Sequence, residues 1–122
     1  MYECNAVIEH ALLTRNDGDR CILGVWLSVN YGGSGQGFGG YALYLPKSFS
    51  HHKLESVAGH FLYRCMEIAE VDDWDKMKGR TIRVRKEDEF GRIVAIGHIV
   101  KNDWFDPKAD FASIVKAEEA AI

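Results

Sequence analysis

The chain has no excess of positive charge, no long apolar run and no paired cysteine spacing, and each absence removes a class of function. Its 15 Lys and Arg are outweighed by 18 Asp and Glu, a formal net charge of -3. Long-range attraction to nucleic acid or to an anionic membrane is not expected from that total, although a local basic site stays open. No stretch approaches the roughly 20 apolar residues that cross a bilayer. The opening MYECNAVIEH has no basic start followed by an apolar run, so the expectation is a cytoplasmic protein with no membrane contact. The cysteines, Cys4, Cys21 and Cys65, are odd in number and none has the spacing of a metal knuckle or a redox motif. They read as small buried hydrophobes in a reducing compartment.

Chemistry-bearing constellations are missing as well. His10, His51, His52, His60 and His98 pair with no cysteine or carboxylate in a zinc pattern, and HHKLE is not the two-histidine, one-glutamate arrangement of a zincin. The acidic run Glu67, Glu70, Asp72, Asp73 and Asp75 reads as a solvated helix end. No nucleophile with an evident base can be argued. The expectation is a protein that holds no metal and no cofactor.

What is present is ordinary globular material. The 122 residues are 47% hydrophobic and 27% charged, which suits one domain over 1–122 with a real core. There is no internal repeat and no low-complexity linker. Residues 5–15 and 20–30 alternate as two strands joined at Asp17-Gly18, residues that tolerate a tight turn. In the second arm Cys21, Leu23, Val25, Leu27 and Val29 make an apolar face, and Ile22, Trp26, Ser28 and Asn30 a mixed one. A strand is expected to resume at 41–46 and to end at Pro46. Residues 51–70 form the clearest helix, with Leu54, Val57, Phe61, Leu62, Cys65 and Ile68 in one stripe. Gly59 inside it suggests a close backbone crossing. DDWDKMKG reads as a short link, 80–86 as a strand with Ile82 and Val84 inward, and 92–100 as a largely buried strand. A short C-terminal helix starts near Pro107 or Ala109. The fold class is α+β: an antiparallel sheet with one long amphipathic helix and a short C-terminal one.

The segment YGGSGQGFGGY holds six of the twelve glycines. Glycine loses more backbone freedom on folding than any other residue. Three readings accommodate the loop: a mobile connector, a protein-contact loop, or a cradle in which N–H groups surround an anion and missing Cβ atoms admit a ligand. Gly32, Gly33 and Gly37 would supply the cradle, Ser34 and Gln36 the hydrogen bonds, and Phe38 with the flanking Tyr31 and Tyr41 flat surfaces for a base or sugar ring. The loop is no P-loop, because no Gly-Lys-Ser/Thr ending and no helix follow. The G-x-G-x-x-G spacing at Gly35, Gly37 and Gly40 has no βαβ unit around it.

Arg80, Arg83, Arg85, Lys86 and Arg92 are the one basic concentration. Arg83, Arg85 and Arg92 could fork phosphates, or they could line a solvated face balanced by Glu87, Asp88 and Glu89. Phe90 sits in a turn, as a stacking lid or as a plug for a subunit interface. Asn102 offers a donor and an acceptor to a base edge, and Trp104 and Phe105 anchor the last helix to the sheet.

Three stretches together, WLSVNYGGSGQGFGGYALYLP (26–46), VDDWDKMKGRTIRVR (71–85) and GRIVAIGHIVKNDWFDP (91–107), resemble the phage Thoeris anti-defence type 1 proteins. These are small sponges that sequester cyclic ADP-ribose isomers, the signal of TIR-domain enzymes in bacterial immunity. The resemblance runs from about residue 20 to 112. It implies a non-catalytic ligand trap in the bacterial host cytoplasm, oligomeric through dimers and up to hexamers, with a cyclic trinucleotide as a further ligand. By type and region Phe90 looks like the family's stacking aromatic and Asn102 like its hydrogen-bonding asparagine. Alternatives are a phage protein that inhibits a host defence enzyme by binding it and an enzyme that processes a nucleotide; long nucleic acid is the least expected partner.

Overall fold

The computed structural model describes residues 1–16, 22–44 and 58–121. The expected turn at Asp17-Gly18, Cys21, Pro46, the histidines 51 and 52 and the first part of the expected helix lie outside the described residues. Six antiparallel strands form one sheet: β1 (Tyr2–Asn16), β2 (Ile22–Tyr31), β3 (Ser34–Tyr44), β4 (Thr81–Lys86), β5 (Ile93–Gly97) and β6 (Trp104–Phe105), in the order β3-β2-β1-β4-β5-β6. Helix α1 (Ala58–Ala69) packs across the sheet, and α2 (Pro107–Ala121) follows β6 directly.

The alternation in β2 resolves as expected. Val25, Leu27 and Val29 are buried, while Trp26 is exposed. Their partners Ala6 and Ile8 on β1, Ile82 and Val84 on β4, and Ile93 and Ile96 on β5 meet Phe61, Cys65 and Ile68 of α1 in one core. Around Phe61 the rings of Phe38, Tyr41 and Phe105 stand 5.1 to 5.8 Å away, and Phe105 reaches Phe111 of α2 edge-on at 6.3 Å. Each buried ring removes a large apolar area from water, so this cluster is the main fastening of sheet to helices.

Three expectations need correction. The glycine segment is not a loop. Only Gly32 and Gly33 turn, with φ of +62° and +85°, and β3 runs from Ser34 onward in register with β2. Two positive φ values at the centre make this the type I′ hairpin whose twist suits antiparallel strands. The strand that was expected to resume at 41 therefore starts seven residues earlier. Gly59, read as a close crossing, is exposed, and a Cβ there would meet nothing within 4 Å.

The strand expected over 92–100 spans only Ile93–Gly97, where Gly97 pairs with Trp104 of β6 so closely that a Cβ on it would come within 2.7 Å of the indole. His98 then turns the chain. It is buried at 6% exposure; its Nδ1 accepts from the amides of Val100 and Lys101, and its Nε2 donates to Glu70. Two amide donors on Nδ1 fix the proton on Nε2. Glu70 itself ends α1 at φ 54°, with Val71 N bonded to Met66 O and Glu70 N to Glu67 O. That closure normally takes glycine. A non-glycine residue there costs roughly 1–2 kcal/mol in backbone strain; the Glu70 carboxylate ties α1 to Lys101 and His98. Those hydrogen bonds, Lys101 first, hold the Glu70 carboxyl below its ordinary range. No described helix is long and apolar enough to cross a membrane.

Candidate functional site

The sheet curls into a half-barrel, and its two open margins come close. β3 is an edge strand. β6 pairs with β5 only at Ile96 and Gly97, which leaves the start of β5 uncovered. Between these margins lies a cleft of about 870 Å³. Gln36, Gly37, Phe38, Gly39 and Tyr41 form one wall; Phe90, Gly91, Arg92, Ile93 and Val94 form the other, with Glu87 beside them. The first residues of α2, Pro107 and Lys108, and the preceding Asp106 close one end, and Met1 also borders it.

The alternation of an antiparallel ladder explains the β3 wall. The hairpin closes at the pair Tyr31 and Ser34, so Ser34, Gln36 and Phe38 turn their backbone groups to β2, and Gly35 and Gly37 turn theirs to the open margin. A Cβ on Gly37 would meet nothing within 4 Å. The margin there is bare backbone, accessible to any group that enters the cleft.

Gln36, Gly37, Phe38, Phe90 and Arg92 thus come together, from two segments more than fifty residues apart. Phe90 stands 93% exposed at the tip of the β4–β5 loop, its amide held by Asp88 Oδ1 at 3.0 Å. Arg92 and Lys108 are exposed cations of this cleft, and neither forms an ion pair among the described residues. Asp106 is engaged as the cap of α2, accepting from Ala109 N at 3.2 Å. Tyr41 has its phenol pushed up by burial first and by the Asp106 and Cys65 charges after it. Phe38 is 6% exposed; its ring faces the core beside Phe61 rather than presenting a flat face to solvent.

The remaining sequence candidates lie elsewhere. Gly32, Gly33 and Ser34 are exposed at the hairpin end, where Gly33 N donates to Asn30 Oδ1 at 3.3 Å. Asn102 is exposed in the turn after His98. Arg83 and Arg85 stack on Trp104, 4.7 and 3.9 Å from the indole centroid, on the sheet face away from Ile82 and Val84. Arg85 donates Nε and Nη2 to Glu3, and Arg83 donates to the carbonyls of His98 and Lys101, both at 2.7 Å. These two arginines brace the turn and β6. Replacing Arg83 by Leu is expected to lower stability by about 1–2 kcal/mol, because two carbonyls lose a charged donor. Urea unfolding reads that loss, and unchanged stability would return Arg83 to the pool of free phosphate contacts.

Lys108, the second residue of α2, was not singled out from sequence, and two residues that were named there take other places: Lys86 is buried at 3% exposure, and Tyr41 packs against the core while bordering the cleft. Lys86 has a legible signal, since it continues the inward alternation of Ile82 and Val84 in β4. Among the described residues no group of three His, Cys, Asp or Glu side chains is placed to hold a metal ion. The chain matches no protein-family profile, no curated protein and no solved structure.

Proposed function

We propose that the protein binds and sequesters a small nucleotide-derived anion, with cyclic ADP-ribose isomers as the ligands to test first. The observation that carries this reading is the cleft itself: an aromatic ring 93% exposed, two cations that form no ion pair among the described residues and a bare glycine backbone border one cavity. A ring suits a base, the cations suit phosphates, and strand N–H groups add donors without side chains. Sequestration requires tight binding and no transition-state stabilisation, so it asks for no acid, base or nucleophile. The resemblance of the glycine, β4 and β5 stretches to the Thoeris anti-defence sponges supplies the ligand class. A nanomolar complex corresponds to about 12 kcal/mol. In this reading a second copy of the chain adds enclosure over the cleft, and a cyclic trinucleotide is a further candidate ligand.

Calorimetric titration with cyclic ADP-ribose isomers tests the proposal, followed by chromatography of the recovered ligand. The expected result is saturable binding with the ligand recovered intact. Recovery of an altered ligand would make the protein an enzyme. No heat with any isomer would overturn the ligand class, and light scattering that found only monomer in the bound state would remove the shared enclosure.

A further inference from the structure

We infer that Gln36 and Lys86 are positioning residues that lock the β4–β5 loop in place before ligand arrives, so that the cleft is a preset slot and Phe90 a fixed wall. The inference rests on the binding reading above for its functional consequence, and on the following contacts for the lock itself.

Gln36 replaces a missing strand. Its Oε1 accepts from Ile93 N at 2.6 Å and its Nε2 donates to Gly91 O at 3.3 Å. A neighbouring strand would present one carbonyl and one N–H to these same two backbone groups. The amide supplies that pair from a side chain and joins β3 to β5 where no ladder exists. The second Nε2 hydrogen goes to Tyr31 Oη at 3.0 Å, so both amide hydrogens and one of the two carbonyl lone pairs are engaged within the protein. Gln36 therefore sets the separation of the two walls, with no donor left over for ligand.

Lys86 fastens the other side of the loop. Its ammonium is enclosed by the ring of Tyr31 at 4.1 Å and that of Tyr2 at 5.1 Å, and it donates to Glu89 O at 2.6 Å. Tyr31 is common to both fastenings, its hydroxyl on Gln36 and its ring on Lys86. Inside the loop Glu87 N bonds Arg92 O, Gly91 N bonds Asp88 O, and Asp88 Oδ1 takes Phe90 N. Gly91 is closely packed against Asp88 N, 3.0 Å from where a Cβ would stand. All this holds a residue, Phe90, that is 93% exposed and contributes nothing to the core. Fixing an exposed ring serves binding: if loosening left the loop competent in about one molecule in ten, the apparent dissociation constant would rise about tenfold.

The test compares the wild type with Gln36→Met, Gln36→Glu, Lys86→Met and Tyr31→Phe. The last removes only the hydroxyl acceptor and is the variant least disturbing to folding. Amide hydrogen exchange without ligand is expected to quicken about tenfold or more at Gly91 and Ile93 in Gln36→Met, with α1 amides from Phe61 to Ile68 unchanged. Tyr31→Phe should give a smaller change of the same pattern. Gln36→Glu keeps the acceptor for Ile93 N, so protection at Ile93 should return in part. Titration with cyclic ADP-ribose should show about tenfold weaker binding in Gln36→Met and Lys86→Met. Loop exchange unchanged in all variants overturns the lock, and faster exchange with unchanged affinity overturns its role in binding. A wild type that binds no cyclic ADP-ribose sinks the proposed function, while the exchange comparison still decides the lock.

Discussion

Gly39→Ala is expected to destabilise the protein by about 3 kcal/mol, while Gly37→Ala, two residues away, changes stability by no more than about 0.5 kcal/mol. Gly39 has φ +118° and sits at the bulge where β3 slips against Val25 and Trp26 of β2. A Cβ there would stand 2.6 Å from Phe61 Cζ and 3.0 Å from both Trp26 Cα and Val25 O. Two of those neighbours are backbone of the central hairpin. The third belongs to a ring with no exposure, packed against Phe38, Tyr41 and Phe105. Nothing nearby is free to retreat, so overpacking of roughly 1–3 kcal/mol adds to roughly 1–2 kcal/mol for a side chain at this φ. Gly37 has neither constraint: its φ is not positive and its Cβ site is open. Urea unfolding of the two variants measures the contrast. Equal midpoints would mean that the bulge does not hold Gly39 against Phe61.

The contrast shows what the glycine segment disguised. Its composition argues against a strand, since glycine weakens strand interiors and marks bulges or close approaches. Tertiary pairing overrode composition: Ser34 to Tyr44 pairs along β2 with one bulge at Gly40, and the core demands Phe38 beneath Phe61. The Gly32-Gly33 pair after an alternating apolar run was the available sign of a two-residue hairpin. Elements with a strong period were legible. The stripe of Phe61, Cys65 and Ile68 is buried as expected, Ile82 and Val84 face inward, and α2 begins at Pro107. The cleft was legible in its parts and not in its assembly. Phe90 and Arg92 are near in sequence, but they meet Gln36 and Gly37 only because the sheet curls. No local pattern carries that curl. The same limit hid the roles of Arg83 and Arg85: their stacking on Trp104 depends on a two-residue strand, β6, too short to leave a period.

Phe90→Ala is expected to weaken binding of a cyclic ADP-ribose isomer by roughly 5- to 150-fold, the effect of losing about 1–3 kcal/mol of base stacking. Stability should stay within about 0.5 kcal/mol of wild type, because a ring 93% exposed has almost no contacts to lose. The loop itself should persist, since its fastenings are the Asp88 backbone and carboxylate, Gln36 and Lys86, none of which touches the phenyl group. Phe90→Trp, with a larger face, should retain or raise affinity. A second role for the ring predicts a different outcome. If Phe90 plugs a contact between copies of the chain, alanine lowers the mass seen by light scattering, and affinity falls because the assembly has come apart. Titration and light scattering on the same variant therefore separate the two. Weaker binding at unchanged mass assigns Phe90 to the ligand; a drop in mass assigns it to the interface. Unchanged values in both would remove Phe90 from the site and, with it, the aromatic element on which a base-binding cleft depends.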